Sequence, residues 1–325
     1  MALRSPGPVS RGAAGLWAHR MAVVTAAATA ALIFVGGVVT NTGSGLAVPD
    51  WPTTFGQNMF LYPPSQWVGG ILYEHSHRLM GSLVGLLTIG LAGALWFGAR
   101  GSRLRWLGLV AVGAVIAQGI LGGLRVVLLD HTLAMVHGMV AQAFFALVVG
   151  LAVVTSPGWR AAPRAALAAA PGDGLRRLSV LAAVVLYFQA ALGSVLTHTG
   201  LQFTAHLVTG GAAALLALWL TTHVLGEHWN RPWLARPVRA LAALVIFQLF
   251  LGLGSYLARF TAVGVAFPSA VGLAFPVLHR LVGALLVGTS LVLALRVNRL
   301  PGATDAGRRD PARGTADSMS GRVPA

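Results

Sequence analysis

Apolar residues along this chain gather into long runs, each closed by a short polar or Arg-bearing break. Eight runs can be drawn, over 21–42, 71–98, 104–127, 132–155, 177–198, 203–225, 237–259 and 275–297. Each approaches or exceeds the roughly 20 residues that a helix needs to span a hydrocarbon core about 30 Å thick. The pattern predicts an all-α membrane protein with eight transmembrane helices.

Composition supports that class: 56% of the 325 residues are hydrophobic and 10% are charged, against about 25% charged in an average soluble domain. The net charge of +15 is not a nucleic-acid signature, because its Arg residues form separate clusters between apolar runs and no continuous basic stripe. Their distribution orients the chain instead. Of the 23 Arg residues, 19 fall before span 1, after spans 2, 4 and 6, or after span 8. Because short cytoplasmic loops are enriched in basic residues, both termini are expected in the cytoplasm and residues 43–70 outside. The first run exceeds the 7–15 residues of a secretory h-region, so it is read as a retained helix. The segment 1–20 is then a cytoplasmic N-terminus, 157–176 a cytoplasmic linker and 299–325, rich in Gly, Pro, Arg and Asp, a disordered cytoplasmic tail.

The chain also repeats weakly. Thr40-Asn41-Thr42-Gly43 closes span 1 as Thr197-His198-Thr199-Gly200 closes span 5, and Gln118 to Gly122 in span 3 resembles Gln248 to Gly252 in span 7. Outer-end arginines, Arg125 and Arg259, follow the second pair. This divides the molecule into two pseudo-symmetric four-helix bundles, 21–156 and 177–298. Each crosses the membrane an even number of times, so the repeat is parallel, unlike the inverted repeats of many transporters.

Four of the ten histidines occupy related places. His77, His137, His206 and His279 each lie near the outer start of an even-numbered span, roughly 5–10 Å inside the boundary at 1.5 Å per residue. In a four-helix unit, two such imidazoles on facing helices can converge on one iron with a porphyrin between them. Zinc competes for such residues but normally takes three or four converging ligands. With no Cys, neither thiolate ligation nor a covalent c-type heme is available. Gly81, Gly85, Gly138, Gly210, Gly211 and Gly283 on the same helices permit close approach of a flat macrocycle or, equally, of a neighbouring helix. His75 and His198 fit the repeat less well, His131 falls in an outer loop, and His19, His223 and His228 are expected to be solvated on the cytoplasmic side.

Charges inside the apolar frame are few. Glu74 precedes His77 by nearly one turn, so both can face one cavity. Arg78 and Arg280 directly follow His77 and His279, where a guanidinium can pair a heme propionate or a lipid phosphate. Phe203 takes the place of Glu74 beside His206, so only the first half carries a candidate acid or base. Glu74 is either a counter-charge to Arg78 or a proton-transfer group.

At these residues the chain resembles the heme A synthase family, over about residues 20–298. The resemblance rests on Thr42-Gly43-Ser44-Gly45-Leu46-Ala47-Val48-Pro49-Asp50-Trp51-Pro52, on Glu74-His75-Ser76-His77-Arg78 and on His279-Arg280. It implies a multi-pass enzyme of the bacterial cell membrane that oxidises the C8 methyl of heme O to the formyl group of heme A for cytochrome oxidase. By the same similarity, His206 and His279 are expected to ligate a resident heme b, and His77 and His137 the substrate heme O, with Glu74 as the family's important carboxylate; Glu74, His77 and His137 are the expected catalytic residues, Glu74 assisting proton removal from the methyl while the two histidines position the heme. Heme O synthase is the implied supplier, lipid the surrounding partner, and the electron partner and oligomeric state stay open. Many relatives carry a Cys pair in the first outer loop that this chain lacks. A membrane cytochrome passing electrons between two b hemes is the alternative, since it needs the four histidines but neither Glu74 nor a long outer loop.

Overall fold

The computed structural model describes residues 8–98, 103–161 and 172–299. Among them are nine α-helices: α1 (Pro8–Asn41), α2 (Gly70–Gly98), α3 (Leu104–Val127), α4 (His131–Thr155), the short α5 (Pro157–Ala161), α6 (Asp173–Thr199), α7 (Phe203–His228), α8 (Pro232–Phe260) and α9 (Ser269–Arg299). All but α5 contain a stretch long and apolar enough to cross a membrane, and no strand is formed among the described residues. A chain that must leave water satisfies its backbone inside each segment, and helices do this without partners. Side chains such as Leu86, Phe97, Leu215 and Ile246 stand exposed on the bundle surface, where lipid is their solvent. The expected all-α membrane class is therefore the observed one.

Local chemistry fixes several helix ends. Asp130 caps α4, accepting hydrogen bonds from the N–H groups of Thr132 at 2.6 Å and Leu133 at 3.3 Å. Gly200 ends α6 at φ +70°, its N–H bonded to the carbonyl of Leu196. Two helices start earlier than the apolar runs suggest. Pro237 and Pro276 look like boundaries in the sequence but lie inside α8 and α9. A proline leaves the carbonyl four residues back without its helical donor, and at Trp233 that carbonyl receives Arg296 Nη1 at 2.9 Å. The first helix also reaches further back than expected, to Pro8, so much of the segment 1–20 is helical.

Each half has its own core. Val84, Leu91, Leu95, Phe144 and Leu151 pack together in α1–α4, and Leu186, Leu220, Leu241, Val287 and Leu293 in α6–α9. A smaller cluster of Ile33, Phe145 and Ala284 joins them. Along that seam α1 packs on α9, and α4 on α6 and α9. Small residues set the spacing: a β-carbon at Gly37 would stand 3.3 Å from Val277, and one at Gly288 3.2 Å from Phe145. Between helices in lipid, such close van der Waals packing supplies attraction that water expulsion does not.

At one end of the bundle Arg and Trp interleave. Arg105 lies over Trp96 and Trp106, Arg296 over Trp233 at 4.6 Å, and Arg299 over Trp159 at 4.2 Å. Aromatic belts of this kind belong at a membrane interface. His19 and His228 depart from their expected solvation: His19 Nδ1 lies 3.0 Å from the carbonyl oxygen of Ala152, and His228 is buried. Helical continuation of α1 and α7 beyond the apolar runs folds both residues into the bundle. The expected tail lies outside the described residues apart from Arg299, as does 162–171 of the linker, whose first part is α5.

Candidate functional site

The four singled-out histidines form two pairs near the opposite end of the bundle. His77 on α2 faces His137 on α4 with ring centroids 6.4 Å apart and planes at 76°. His206 on α7 faces His279 on α9 at 6.3 Å and 72°. An imidazole nitrogen bonds a first-row metal at about 2.0 Å and lies about 1.1 Å from its ring centre, so two rings on opposite sides of one metal have centroids about 6.3 Å apart.

Behind each ring stands a glycine from the preceding transmembrane helix. A β-carbon would meet the Cε1 atom of His77 at 3.0 Å from Gly36, of His137 at 3.3 Å from Gly122, of His206 at 3.1 Å from Gly193 and of His279 at 3.1 Å from Gly252. The glycines are thus cradles in which the rings sit. They were visible in the repeat: Gly36 and Gly193 each lie four residues before Thr40 and Thr197, and Gly122 and Gly252 end the two Gln-led motifs. Glycines expected along the porphyrin faces divide: β-carbons at Gly81, Gly85 and Gly211 would meet nothing within 4 Å, whereas Gly138 abuts Ser194, Gly210 abuts Gln189 and Gly283 abuts Gln248.

Glutamines add a second support. Gln118 Nε2 donates to the His137 carbonyl at 3.1 Å, and Gln189 Nε2 to the His206 carbonyl at 2.8 Å. Gln248 Nε2 approaches His279 Nε2 at 3.2 Å. Nδ1 of His77, His137 and His279 is buried without a hydrogen-bond partner. Buried polar atoms are normally satisfied, and rings cradled in facing pairs with unpaired nitrogen suit a metal-bearing group. Among the described residues no three His, Asp or Glu side chains gather as a metal-ion site, so the donor set fits the two axial positions of a heme at each pair.

The first pair lies beside a long outer loop, 42–69, whereas the outer connection of α8 to α9 is the short segment 261–268 with a single 3-10 turn. Asp50 ties the loop together, accepting from Thr53 Oγ1 at 2.5 Å and from the N–H groups of Phe55 at 2.7 Å and Gly56 at 2.8 Å. Burial works to raise the Asp50 carboxyl, but these donors outweigh it and hold the group below the ordinary aspartate value. The Trp51 indole lies against Gly123 of α3, adjacent to the cradle glycine Gly122. His75 is fully buried under the loop, its ring against Tyr62 and Trp67 and its Nδ1 3.3 Å from Thr54 Oγ1. It is a loop anchor and belongs to neither pair.

Glu74 and Arg78 join this loop to α2. Arg78 Nη1 donates to the carbonyls of Asp50 at 2.6 Å and Thr53 at 3.0 Å, and Nη2 to the Val48 carbonyl and Glu74 Oε1, both at 2.9 Å. Glu74, 4% exposed, receives the Val48 N–H on Oε2 at 2.9 Å. Both carboxylate oxygens are therefore engaged, one by Arg78 and one by the Val48 N–H. Arg78 itself is spent on three loop carbonyls and Glu74. Arg280 turns away from its neighbour His279, because successive helix residues differ by about 100°, and its Nη1 reaches Thr40 Oγ1 of α1 at 3.1 Å.

Residues 19–205 match the family described as COX15-CtaA, cytochrome oxidase assembly protein. A heme A synthase of Shouchella clausii is 36% identical over 135 residues, 40% of this chain and 43% of that protein. Heme A synthases of Methylorubrum populi and of a Methylobacterium species are 29% identical over 241 residues and 28% over 347 residues. These alignments cover 63% and 85% of this chain, and 56% and 91% of the respective relatives. The chain thus matches about half the length of the first two and nine-tenths of the third.

Proposed function

Because the chain belongs to the COX15-CtaA family of cytochrome oxidase assembly proteins, we propose that it is a heme A synthase that oxidises the C8 methyl of heme O to a formyl group. That change removes four electrons from the methyl carbon and introduces one oxygen atom. The observation that carries the reading is the pair of His–His separations, 6.4 and 6.3 Å, each ring backed by glycine.

In this reading the halves divide the work. His206 and His279, in 177–298, hold a resident heme b, which when bound supplies a one-electron redox centre. His77 and His137, in 21–156, orient the substrate heme O. The first pair is assigned to chemistry because the loop, Glu74 and Arg78 accompany it alone. Arg78 clamps the loop over the site and excludes water from it, and Glu74 supplies the fixed negative charge that holds Arg78 and Val48. Proton removal by Glu74 would require release of one of its engaged oxygens, so its counter-charge role is the one proposed. We place the protein in the bacterial cell membrane with both termini in the cytoplasm, by the Arg distribution.

The close likeness of the two pairs favours one other reading, a cytochrome that passes electrons between two b hemes. Extraction of the porphyrins bound to purified protein separates the two. Heme b together with heme O, a hydroxymethyl form of it or heme A supports the synthase; heme b alone from cells that make heme O favours the cytochrome.

A further inference from the structure

Arg280 and Arg125 belong to different halves, yet each reaches a point one turn outward of a glycine that backs the first pair: Arg125 stands three residues beyond Gly122, and Arg280 Nη1 meets Thr40, four residues beyond Gly36. Arg280 does so from α9, the helix that carries His279. Side chains on a helix lean toward its N-terminus, so Arg280 rises toward the outer end and meets Thr40, one turn beyond the cradle glycine Gly36. Arg125, in the last turn of α3, lays its guanidinium against Gly45 of the outer loop, where a β-carbon would displace it.

Among the described residues neither cation has a carboxylate in direct contact, and Glu74 is instead paired with Arg78 at 2.9 Å. Two guanidiniums without direct ion pairs beside one apolar site are costly unless an anion joins them. The repeat sharpens the asymmetry. Arg125 stands seven residues after Gln118, whereas the outer-end arginine of the second half, Arg259, stands eleven after Gln248; Arg280 follows His279, but Gly138 follows His137. Both cations therefore converge on one pair of the two.

We propose that Arg125 and Arg280 form a carboxylate-binding site for the propionates of the porphyrin seated at His77 and His137, so that the second half completes the site of the first. This rests on the reading that this pair seats a porphyrin. A guanidinium presents paired donors that match a carboxylate, and two of them, one from each half, match the two propionates along one edge of a porphyrin. The site selects diacid porphyrins and sets which edge faces the outer end.

The test uses full-length protein in detergent, titrated with ferric protoporphyrin IX and separately with its dimethyl ester, following the absorbance of the added porphyrin. Wild type is expected to bind the diacid at least about tenfold more tightly than the ester, the scale of a charge-assisted hydrogen bond. In Arg125→Gln/Arg280→Gln the preference is expected to vanish while ester binding persists, which also reports that the variant is folded. Arg125→Lys/Arg280→Lys is expected to keep most of it. Equal binding of diacid and ester by wild type, a preference that survives the Gln variant, or a Lys variant as indifferent as the Gln variant each overturns the proposal. His77→Ala/His137→Ala tests the underlying reading: if it binds diacid as wild type does, the porphyrin seat is elsewhere and both statements fall. If binding needs the histidines but ignores esterification, the seat stands and the carboxylate site falls.

Discussion

Gly252 lies so close to His279 that a β-carbon there would stand 3.1 Å from the ring's Cε1 atom. The ring is held from behind by α8 as well as from its own helix. Replacing Gly252 by Val should push the imidazole toward its partner His206, at a cost of about 1–3 kcal/mol for overpacking. The expected outcome is loss or spectral alteration of the low-spin heme, read from the absorbance of purified protein, with Gly36→Val leaving that signal intact because it acts on His77.

His206→Ala and His279→Ala should each remove or alter the heme b spectrum. Unchanged heme content and spectrum in both variants would defeat the assignment of this pair.

Glu74→Gln keeps the shape of the side chain but turns one of its two acceptors into a donor facing another donor. Depending on the orientation of the amide, either the Val48 N–H or Arg78 loses its partner. Heme A formation in cells should fall by about 10²-fold, the scale on which a positioning group away from the chemistry costs rate when it is displaced. Heme b content should persist, because His206 and His279 do not touch the loop. Heme A made at the wild-type rate would show Glu74 to be dispensable.

Asp50 offers a pH test. Its carboxyl is held below the ordinary aspartate value in the folded loop, so its contribution is present above that value and is lost as pH falls through the lowered one. Amide exchange at Phe55 and Gly56, corrected for intrinsic rate, should stay protected from pH 7 to about 4, the unfolded value, and lose protection only below it. Asp50→Ala should remove the protection throughout, by at least about tenfold, the scale of a hydrogen bond to a charged group.

Reporter fusions after Gly302 should report the cytoplasm and fusions within 43–70 the outside, following the Arg asymmetry. The reverse result would invert the assigned orientation.

Much of this arrangement can be read from residue order. Apolar runs delimit α3 at 104–127 in agreement with the structure, because nothing inside that run mimics a boundary. Pro237 and Pro276 obscured the starts of α8 and α9, since a proline marks a boundary unless something else satisfies the freed carbonyl, and Arg296 is 59 positions away in sequence. The histidine pairs were legible because helix geometry puts equivalent positions at equivalent depth. Arginine roles were not. Arg78 and Arg280 each follow a histidine, yet one turns to the outer loop and the other to α1. Adjacency in a helix implies a different direction, and the partner depends on which helix happens to lie there. The loop clamp was hidden because Arg78 binds carbonyl oxygens, which every residue has.

The hydrogen bond between Arg280 and Thr40 joins residues 240 positions apart, and Gly37 meets Val277 along the same seam. Helix α1 leaves the ribosome first among these elements and α9 last. During synthesis the part of α1 around Gly37 and Thr40 therefore waits for its partner through the insertion of every intervening span. Only the final helix seats it, bringing His279 and Arg280 in the same step. Assembly of the two halves is thus tied to completion of the last helix, and a nascent chain interrupted before α9 leaves Gly37 and Thr40 without the residues they meet in the finished bundle.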